Sequence, residues 1–259
     1  MLPERTKTVA VIYLVRGATA DWRAAGQRFL ESYRRNAPGC AHELHVVFTA
    51  FEGATDLQAA KNLFLDVEHS PVVLDGRRSD IGAYAELANT LAAELLCGFD
   101  GASEILAADW LYKLAVNLQT PNVGLVGATA SFERPGGSTG VAPAFPNVHI
   151  RSNAFMIERV LFCRISRGLA LADESVDASF ENGPDCQTRR VLATGRDVLL
   201  VGRNGRGYPP KFWATSDTFR QGRQGNLLVA DEQTRTFEAA PWSAKRALAN
   251  RTWGKYLGQ

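Results

Sequence analysis

The 259-residue sequence has few cysteines, and none of them has the spacing of a metal site or a redox motif. Its four cysteines, Cys40, Cys97, Cys163 and Cys186, lie far apart in the chain. Cys97 and Cys163 fall in apolar runs, where a cysteine usually packs as a small hydrophobic side chain. The predicted compartment is therefore the reducing cytoplasm, either free or at the inner face of the membrane.

The sequence also lacks a large charge excess and a long hydrophobic run. Twenty-nine basic residues face 27 acidic ones, a net charge of +2, which is too balanced to indicate a general nucleic-acid-binding surface. The first residues, MLPERTKTVAVIYLVRG, contain a short apolar run, well below the roughly 20 residues that cross a bilayer. They show no small-residue cleavage signature, and we predict that they supply the first strand of a sheet.

The first half of the chain alternates strand patterns with helix patterns. Residues 8–15 are apolar on both faces, which is typical of a central parallel strand, and Asp21 precedes a helical pattern that stops at Pro38. Further strands are predicted at 44–51, from 72 and at 95–99, with helices at 56–67 and 110–118. This order predicts a single α/β domain with an open, mostly parallel sheet flanked by helices.

The stretch 72–106 is central to the functional prediction. Asp75 to Asp80 follow one predicted strand, and Asp100 to Ser103 follow the next. Ligands of open α/β sheets bind outside the carboxyl ends of the strands, so both acidic turns are expected to face one crevice. We interpret this crevice as a site for a nucleotide sugar.

The second half is less regular. Glycine and proline without periodicity fill 131–146, a loop that is long for a compact domain. Residues 202–225 hold five glycines, four aromatic residues and five basic residues, which is typical of a mobile or ligand-ordered loop. We therefore divide the domain into a nucleotide-binding half, 1–118, and an acceptor half, 119–259, with a C-terminal helix at 243–256.

Several segments form a series that resembles a known family. DIGAY, FDGASEIL and ADWLYKL resemble the core of bacterial GT-A-fold glycosyltransferases of the family 2 type. The longer segments FPNVHIRSNAFMI and SDTFRQGRQGNLLVADEQT resemble a subgroup that is associated with surface polysaccharide assembly. The resemblance covers roughly residues 9–234. It implies transfer of a sugar, as in hexosyltransferases, from a nucleoside diphosphate sugar to a saccharide or lipid-linked acceptor, with peripheral membrane association.

The resemblance implies where the donor binds. The donor residues would be Asp75, Arg78, Asp80, Asp100 and Ser103. GT-A enzymes commonly hold Mg²⁺ or Mn²⁺ with an aspartate turn, but Ala102 stands where a second aspartate would follow Asp100. Asp100 with phosphates and water could still hold the cation, or basic residues of 203–223 could neutralise the diphosphate instead. For Asp80, capping of the helix that begins at Ile81 is an equal alternative.

Diphosphate or acceptor binding is expected from residues of the second half. His149, Arg151 and Asn153 alternate, so an extended segment would project them to one side, although an edge strand with a solvated face has the same pattern. Arg220 and Asp231 fall in the second long matching segment, which together with the preceding GYPPKFWAT, the part that contains Trp213, forms one resembling run. All three residues are expected at the same site.

Sugar transfer needs a base for the acceptor hydroxyl. Glu181 is the first candidate, because it follows a helical pattern and precedes a Gly-Pro turn. Asp185 is the second, and it could equally cap the helix that starts at Cys186.

Two rival functions remain. One is a degenerate nucleotide-binding protein of the same fold, which Ala102 suggests. The other, more distant, is a nicotinamide-dependent oxidoreductase that would use GLVGATA.

Overall fold

An eight-stranded mixed sheet lies at the centre of the computed structural model, which describes residues 7–76, 79–134, 143–169 and 175–257. Its strands are β1 (Val9–Arg16), β2 (Glu43–Thr49), β3 (Ser70–Leu74), β4 (Leu95–Phe99), β6 (Val123–Gly127), β9 (Ala154–Glu158), β10 (Asp197–Val201) and β11 (Gly207–Tyr208). Two small ladders pair β5 (Glu104–Ile105) with β12 (Val229–Ala230), and β7 (Ala130–Ser131) with β8 (His149–Ile150).

Nine α-helices are described around the sheet. They are α1 (Trp22–Arg35), α2 (Ala54–Leu63), α3 (Asp80–Thr90), α4 (Trp110–Leu118), α5 (Arg159–Ile165), α6 (Ser175–Asn182), α7 (Gln187–Leu192), α8 (Glu232–Ala239) and α9 (Trp242–Trp253). Short 3₁₀-helices span Pro210–Thr215 and Gly254–Tyr256. Among the described helices, none is both long and apolar enough to cross a bilayer.

The sheet order is β11-β10-β6-β9-β4-β1-β2-β3. β1 pairs in parallel with β2 and β4, whereas β9 runs antiparallel between β4 and β6 and β11 runs antiparallel at one edge. The single α/β domain with a mostly parallel sheet is confirmed. The ends of β1, β4 and β6 and the start of β9 consequently meet at one edge of the sheet.

Strand β1 divides the core into two layers because its side chains alternate. Ile12 and Leu14 pack on one face against α3 and α5, and Val11 and Tyr13 pack on the other face against α1 and α4. The Tyr13 ring stacks on Phe29 of α1 with 3.7 Å between ring centroids. With both faces covered, β1 is the central parallel strand that its apolar sequence predicts.

Three helix starts differ from expectation or add to it. Ser79, not Asp80, is the N-cap of α3, and its hydroxyl accepts a hydrogen bond from the Gly82 amide at 2.8 Å. The N-cap of α7 is Cys186, so Asp185 does not fill that role. Asp231 is the N-cap of α8 and forms a capping box with Thr234.

Residues 202–225 are built into the domain rather than forming the expected mobile loop. They contain β11 and a 3₁₀-helix, and Trp213 and Phe219 are buried in the core. The Trp213 indole donates to the Tyr208 carbonyl at 2.7 Å. Two of the four aromatic side chains of this segment therefore serve packing, whereas Phe212 is exposed.

Candidate functional site

Two cavities lie at the edge where β1 and β4 end. The first, which we call the strand-end cavity, has a volume of about 290 Å³. Its charged lining residues are Arg16, Asp21, Arg28, Asp80, Asp100, Glu232 and Arg235, and Tyr13 forms part of its wall. Three predicted features, the end of β1, the turn after β4 and the start of α3, thus meet in one place.

Asp100 is held in the turn that follows β4. Its Oδ1 accepts hydrogen bonds from the Ala102 amide at 3.0 Å and from the Ser103 hydroxyl at 2.7 Å. Ser103 is fully buried and also donates to the Asn153 carbonyl at 2.6 Å, so it positions the turn. The Oδ2 atom of Asp100 has no donor among the described residues.

The electrostatic setting of Asp100 disfavours its charge. Burial, followed by the negative charge of nearby Asp231, raises the pKa of Asp100 from 3.8 to about 7. A cation close to Oδ2 would reverse this effect, because an opposite charge favours the carboxylate. In the described part of the chain, however, no cluster of three or more histidine, cysteine, aspartate or glutamate side chains could hold a metal ion.

Asp80 lines the same cavity and forms an ion pair there. Its Oδ1 lies 2.5 Å from a guanidinium nitrogen of Arg16, the last residue of β1. Its amide and that of Ile81 donate to the Asp177 carboxylate at 2.8 and 2.9 Å, so Asp177 satisfies the first turn of α3. The Asp80 side chain is thereby left to pair with Arg16 at the cavity wall.

The two other early donor candidates do not join this cavity. Asp75 follows the edge strand β3, is exposed, and does not line the strand-end cavity. Of the acidic turn after β3, Asp80 thus lines the cavity and Asp75 does not, so a donor role for Asp75 stays a prediction. Arg78 lies outside the described residues.

The second cavity, which we call the arginine cavity, has a volume of about 330 Å³. Its charged and ionisable lining residues are Glu133, Arg134, His149, Arg151, Glu181, Arg220 and Arg251. Glu232 lines the strand-end cavity and Gln233 lines the arginine cavity, so the start of α8 lies between the two.

A buried ion pair also separates the two cavities. A guanidinium nitrogen of Arg151 lies 2.6 Å from Oδ2 of Asp231, and both side chains are almost fully buried. Burial alone would raise the pKa of Asp231, but the Arg151 charge and the capping bonds hold it below its usual value. The Arg151 guanidinium also lies over the Phe219 ring, 4.2 Å from its centroid.

Arg220 forms a second buried network. It donates to Glu133 at 2.7 Å, to the Thr252 hydroxyl at 3.2 Å and to the side-chain oxygen of Gln233 at 3.0 Å. Burial lowers the pKa of Arg220 below the usual arginine value, and the guanidinium charges of Arg151 and Arg251 act in the same direction.

His149 and Glu181 complete the arginine cavity. Glu181 on α6 accepts from the Ser152 amide at 2.9 Å and also from the Ser152 hydroxyl, which fixes its carboxylate. His149 is buried, its Nδ1 lies 2.7 Å from the Asn147 carbonyl, and burial lowers its pKa, so the imidazole is neutral near pH 7.

The expected alternation of His149, Arg151 and Asn153 is replaced by a turn. β8 ends at Ile150 and β9 starts at Ala154, and the three side chains are all buried rather than on a solvated face. The Asn153 carbonyl accepts from the Asp100 amide at 3.1 Å, and its side-chain oxygen accepts from Thr129. Asn153 therefore stabilises the turn that holds Asp100 through its backbone carbonyl.

Two further site candidates lie elsewhere. The Asp185 side chain is 74% exposed and pairs with Arg190 at 2.6 Å, outside both cavities. Trp213 is fully buried and lines neither cavity. We accordingly place both of them outside the site.

Sequence reasoning missed several charged residues that line the cavities. Arg16 ends β1, and the strand-end rule that selected Asp100 could have selected it as well. Glu133, Arg235 and Arg251 carry no such signal. They reach the cavities through a loop and two helices whose positions depend on tertiary packing.

Neither family models nor curated proteins match the sequence. Among solved structures, a mannosyltransferase from Pyrobaculum calidifontis in complex with GDP-Man and Mn²⁺ superposes with a TM-score of 0.52 at 15% identity, over 93% of this chain and 73% of that one. The fold is that of the GT-A nucleotide-sugar transferases.

Two further solved structures superpose less well. The 4-diphosphocytidyl-2C-methyl-D-erythritol synthase from Anaerococcus prevotii gives a TM-score of 0.48 at 15% identity, over 78% of this chain and 88% of that one. Mouse xyloside xylosyltransferase 1 gives 0.46 at 11% identity, over 75% and 85%. At such identities the likeness concerns the fold, and the chemistry has to be argued from the cavities.

Proposed function

We propose that this GT-A-fold chain is a glycosyltransferase that moves a sugar, of the hexose type, from a nucleoside diphosphate sugar to a saccharide or lipid-linked saccharide. One observation carries the proposal. Asp80 and Asp100 meet three arginines in a single cavity at the carboxyl edge of the parallel strands, where ligands of open α/β sheets bind.

The strand-end cavity suits a diphosphate with a divalent cation. Arg16, Arg28 and Arg235 can neutralise the phosphate oxygens, and guanidinium groups pair well with phosphate. Asp100 would hold Mg²⁺ or Mn²⁺ through Oδ2, with the diphosphate and water as further ligands, since hard cations prefer oxygen. Such a cation would stabilise the negative charge that develops on the departing diphosphate.

Glu181 is the proposed base. Its carboxylate is fixed by Ser152 and lines the arginine cavity, which we assign to the acceptor. It would take the proton of the acceptor hydroxyl while that oxygen forms a bond to the anomeric carbon. The bond from the anomeric carbon to the diphosphate oxygen breaks, and the nucleoside diphosphate leaves with that electron pair.

A role in surface polysaccharide synthesis, with peripheral association at the inner face of the membrane, extends this proposal. Its support is the resemblance of FPNVHIRSNAFMI and SDTFRQGRQGNLLVADEQT, together with the positions of these segments. The first contributes His149 and Arg151 to the arginine cavity, and the second contributes Phe219 and Arg220.

The strongest rival remains a nucleotide-binding protein without transferase activity. Ala102 favours it, because the cation would have one carboxylate ligand in the turn instead of two. The oxidoreductase alternative is disfavoured by the structure. GLVGATA spans most of β6 and the start of β7, and the described residues that follow it, up to 134, form no helix. Gly127 is required by close packing against Ile150.

A thermal-shift screen tests the proposal. The protein is mixed, with and without Mn²⁺, with one of five nucleotides: UDP, GDP, dTDP, CMP or NADP. One nucleoside diphosphate with Mn²⁺ is expected to raise the melting temperature. Asp100→Ala should remove that shift. Asp66→Asn, a highly exposed carboxylate near the opposite edge of the sheet, is the matched control and should retain it.

Donor hydrolysis or transfer then separates the enzyme from the degenerate binder. The matching nucleotide sugar should be hydrolysed slowly without an acceptor, with release of the nucleoside diphosphate. Binding without any turnover would favour the degenerate protein, and equal shifts for wild type and Asp100→Ala would contradict the placement of the donor.

A further inference from the structure

The arginine cavity has more positive than negative charge on its walls. Four arginines line it, against the two carboxylates of Glu133 and Glu181. His149 adds no charge near pH 7, because burial lowers its pKa. A saccharide acceptor with only neutral hydroxyl groups would not need such an excess of guanidinium groups.

The pairing pattern shows where the excess lies. Glu133 is shared by two guanidinium groups, since Arg220 lies 2.7 Å from its Oε2 and Arg251 contacts its Oε1. Arg151 is paired with Asp231 behind the cavity wall. Arg134 donates its Nε to the Pro143 carbonyl at 3.1 Å, and no carboxylate in the described ranges pairs with it.

Glu181 does not balance these charges through an ion pair. Its Oε2 accepts from the amide and the hydroxyl of Ser152, and none of the arginines that line the cavity forms an ion pair with it in the described residues. Arg134 and Arg251 therefore have N–H groups available at the mouth of the cavity, where both side chains are substantially exposed.

We propose that the arginine cavity binds an anionic group of the acceptor saccharide, a carboxylate or a phosphate, through Arg134 and Arg251. Guanidinium groups recognise both oxyanions with paired, charge-assisted hydrogen bonds. A cavity of about 330 Å³ is at the lower end of the range for small ligands and has room for one sugar unit. The assignment to the acceptor rests on the proposed function.

The position of the cavity supports the acceptor rather than the donor. The donor diphosphate has its own arginines in the strand-end cavity, beyond the buried Arg151–Asp231 pair. Glu181, the proposed base, lines the same cavity as Arg134 and Arg251. An acceptor anchored by its anionic group would thus present a hydroxyl close to Glu181.

The test measures binding without any nucleotide. Ligand-observed NMR of the full chain is carried out with glucuronate, glucose 6-phosphate and glucose as probes. Glucuronate or glucose 6-phosphate should bind, and glucose should bind at least about tenfold more weakly. Binding of one acid but not of the other identifies the anionic group as carboxylate or phosphate.

Variants locate the site. Arg134→Gln and Arg251→Gln should each weaken binding of the acidic probe about tenfold, whereas Arg246→Gln, an exposed arginine on the same helix as Arg251, should leave it unchanged. Glu133→Gln should tighten binding, because it removes a competing carboxylate. A merely structural disturbance would weaken binding in all of these variants.

Three results would overturn the proposal. They are equal binding of glucose and the two acids, an unchanged dissociation constant in Arg134→Gln and Arg251→Gln, and displacement of the acidic probe by UDP or GDP, which would make the cavity part of the donor site. Because no nucleotide sugar is needed, failure of the transferase proposal leaves this measurement interpretable, and the reverse also holds.

Discussion

The two cavities lie next to each other, yet their charges are unbalanced in opposite directions. The strand-end cavity places three arginines with four carboxylates, and one of these, Asp100, has a raised pKa. The arginine cavity places four arginines with two carboxylates. The first arrangement suits a cation bound together with a diphosphate, and the second suits an anion alone.

The Arg151–Asp231 pair keeps this difference in place. Arg151 faces the arginine cavity, while the charge of Asp231 is felt by Asp100 in the strand-end cavity. The two partners of this buried pair therefore act on different cavities. Substitutions in either cavity, or in the ion pair between them, test this difference in charge. Their expected effects on catalysis, stability and nucleotide binding differ in size.

The largest effect is expected on catalysis in the arginine cavity. Glu181→Gln should lower the transfer rate constant by about 10²–10⁴-fold, because the amide cannot accept the hydroxyl proton. The nucleotide-induced thermal shift should not change, since Glu181 does not line the strand-end cavity. Steady-state transfer with the donor found by thermal shift measures this. If the transfer rate constant falls further in Asp185→Asn than in Glu181→Gln, Glu181 is not the base.

The next largest effect concerns the pair between the cavities. Asp231→Asn keeps the helix cap but leaves the buried Arg151 charge without its partner, which should lower the free energy of unfolding by about 3–5 kcal/mol. The matched control is Asp185→Asn, whose pair with Arg190 has the same 2.6 Å separation but is exposed. Asp185→Asn should lower the free energy of unfolding by no more than about 1 kcal/mol.

Urea denaturation followed by circular dichroism compares these two variants. Equal losses of stability would mean that burial does not decide the strength of these two ion pairs. A stable Asp231→Asn variant would contradict the view that Asp231 neutralises a buried Arg151 charge.

A smaller effect is expected in the pH dependence of stability. The pKa of Asp100 is raised to about 7, so the folded chain holds this proton more tightly than the unfolded chain. The resulting stability is complete below about pH 4 and is lost as the pH rises through about 7. In the Asp100→Asn variant the side chain cannot ionise, and its amide oxygen can still accept both turn hydrogen bonds.

The melting temperature of Asp100→Asn should therefore rise relative to wild type by a few degrees between about pH 5 and about pH 8 in metal-free buffer. Thermal unfolding at several pH values measures the difference. Mn²⁺ with the nucleotide should reduce it, because the cation favours the charged carboxylate. A difference that does not vary with pH would contradict the raised pKa.

The elements around both cavities could be predicted from the sequence where the signal is local. The apolar runs of β1 and β4 and the helical period of α4 are found close to their predicted bounds. Asp100 was predicted at the site because it directly follows a buried strand. Glu181 was proposed as a base from its helix and the following turn, and the structure places it in a cavity.

The features of the site that could not be predicted depend on contacts between distant parts of the chain. Glu133 and Arg220 are 87 residues apart, and Asp177 satisfies the start of α3 from 97 residues away. Neither pairing leaves a local pattern. The sheet order is also non-local, and it places β3 at an edge of the sheet and β4 near its centre.

The smallest effect is expected at Asp75, where the sequence and the structure disagree. Asp75 is exposed after the edge strand β3, whereas Asp80 is paired with Arg16 in the strand-end cavity. Asp75→Ala should change the free energy of unfolding by less than about 0.5 kcal/mol and leave the nucleotide-induced thermal shift intact. Asp80→Asn should reduce that shift, because it alters the charge of the cavity wall. If Asp75→Ala abolishes the shift and Asp80→Asn does not, the nucleotide binds over the edge of the sheet, and the strand-end cavity is not its site.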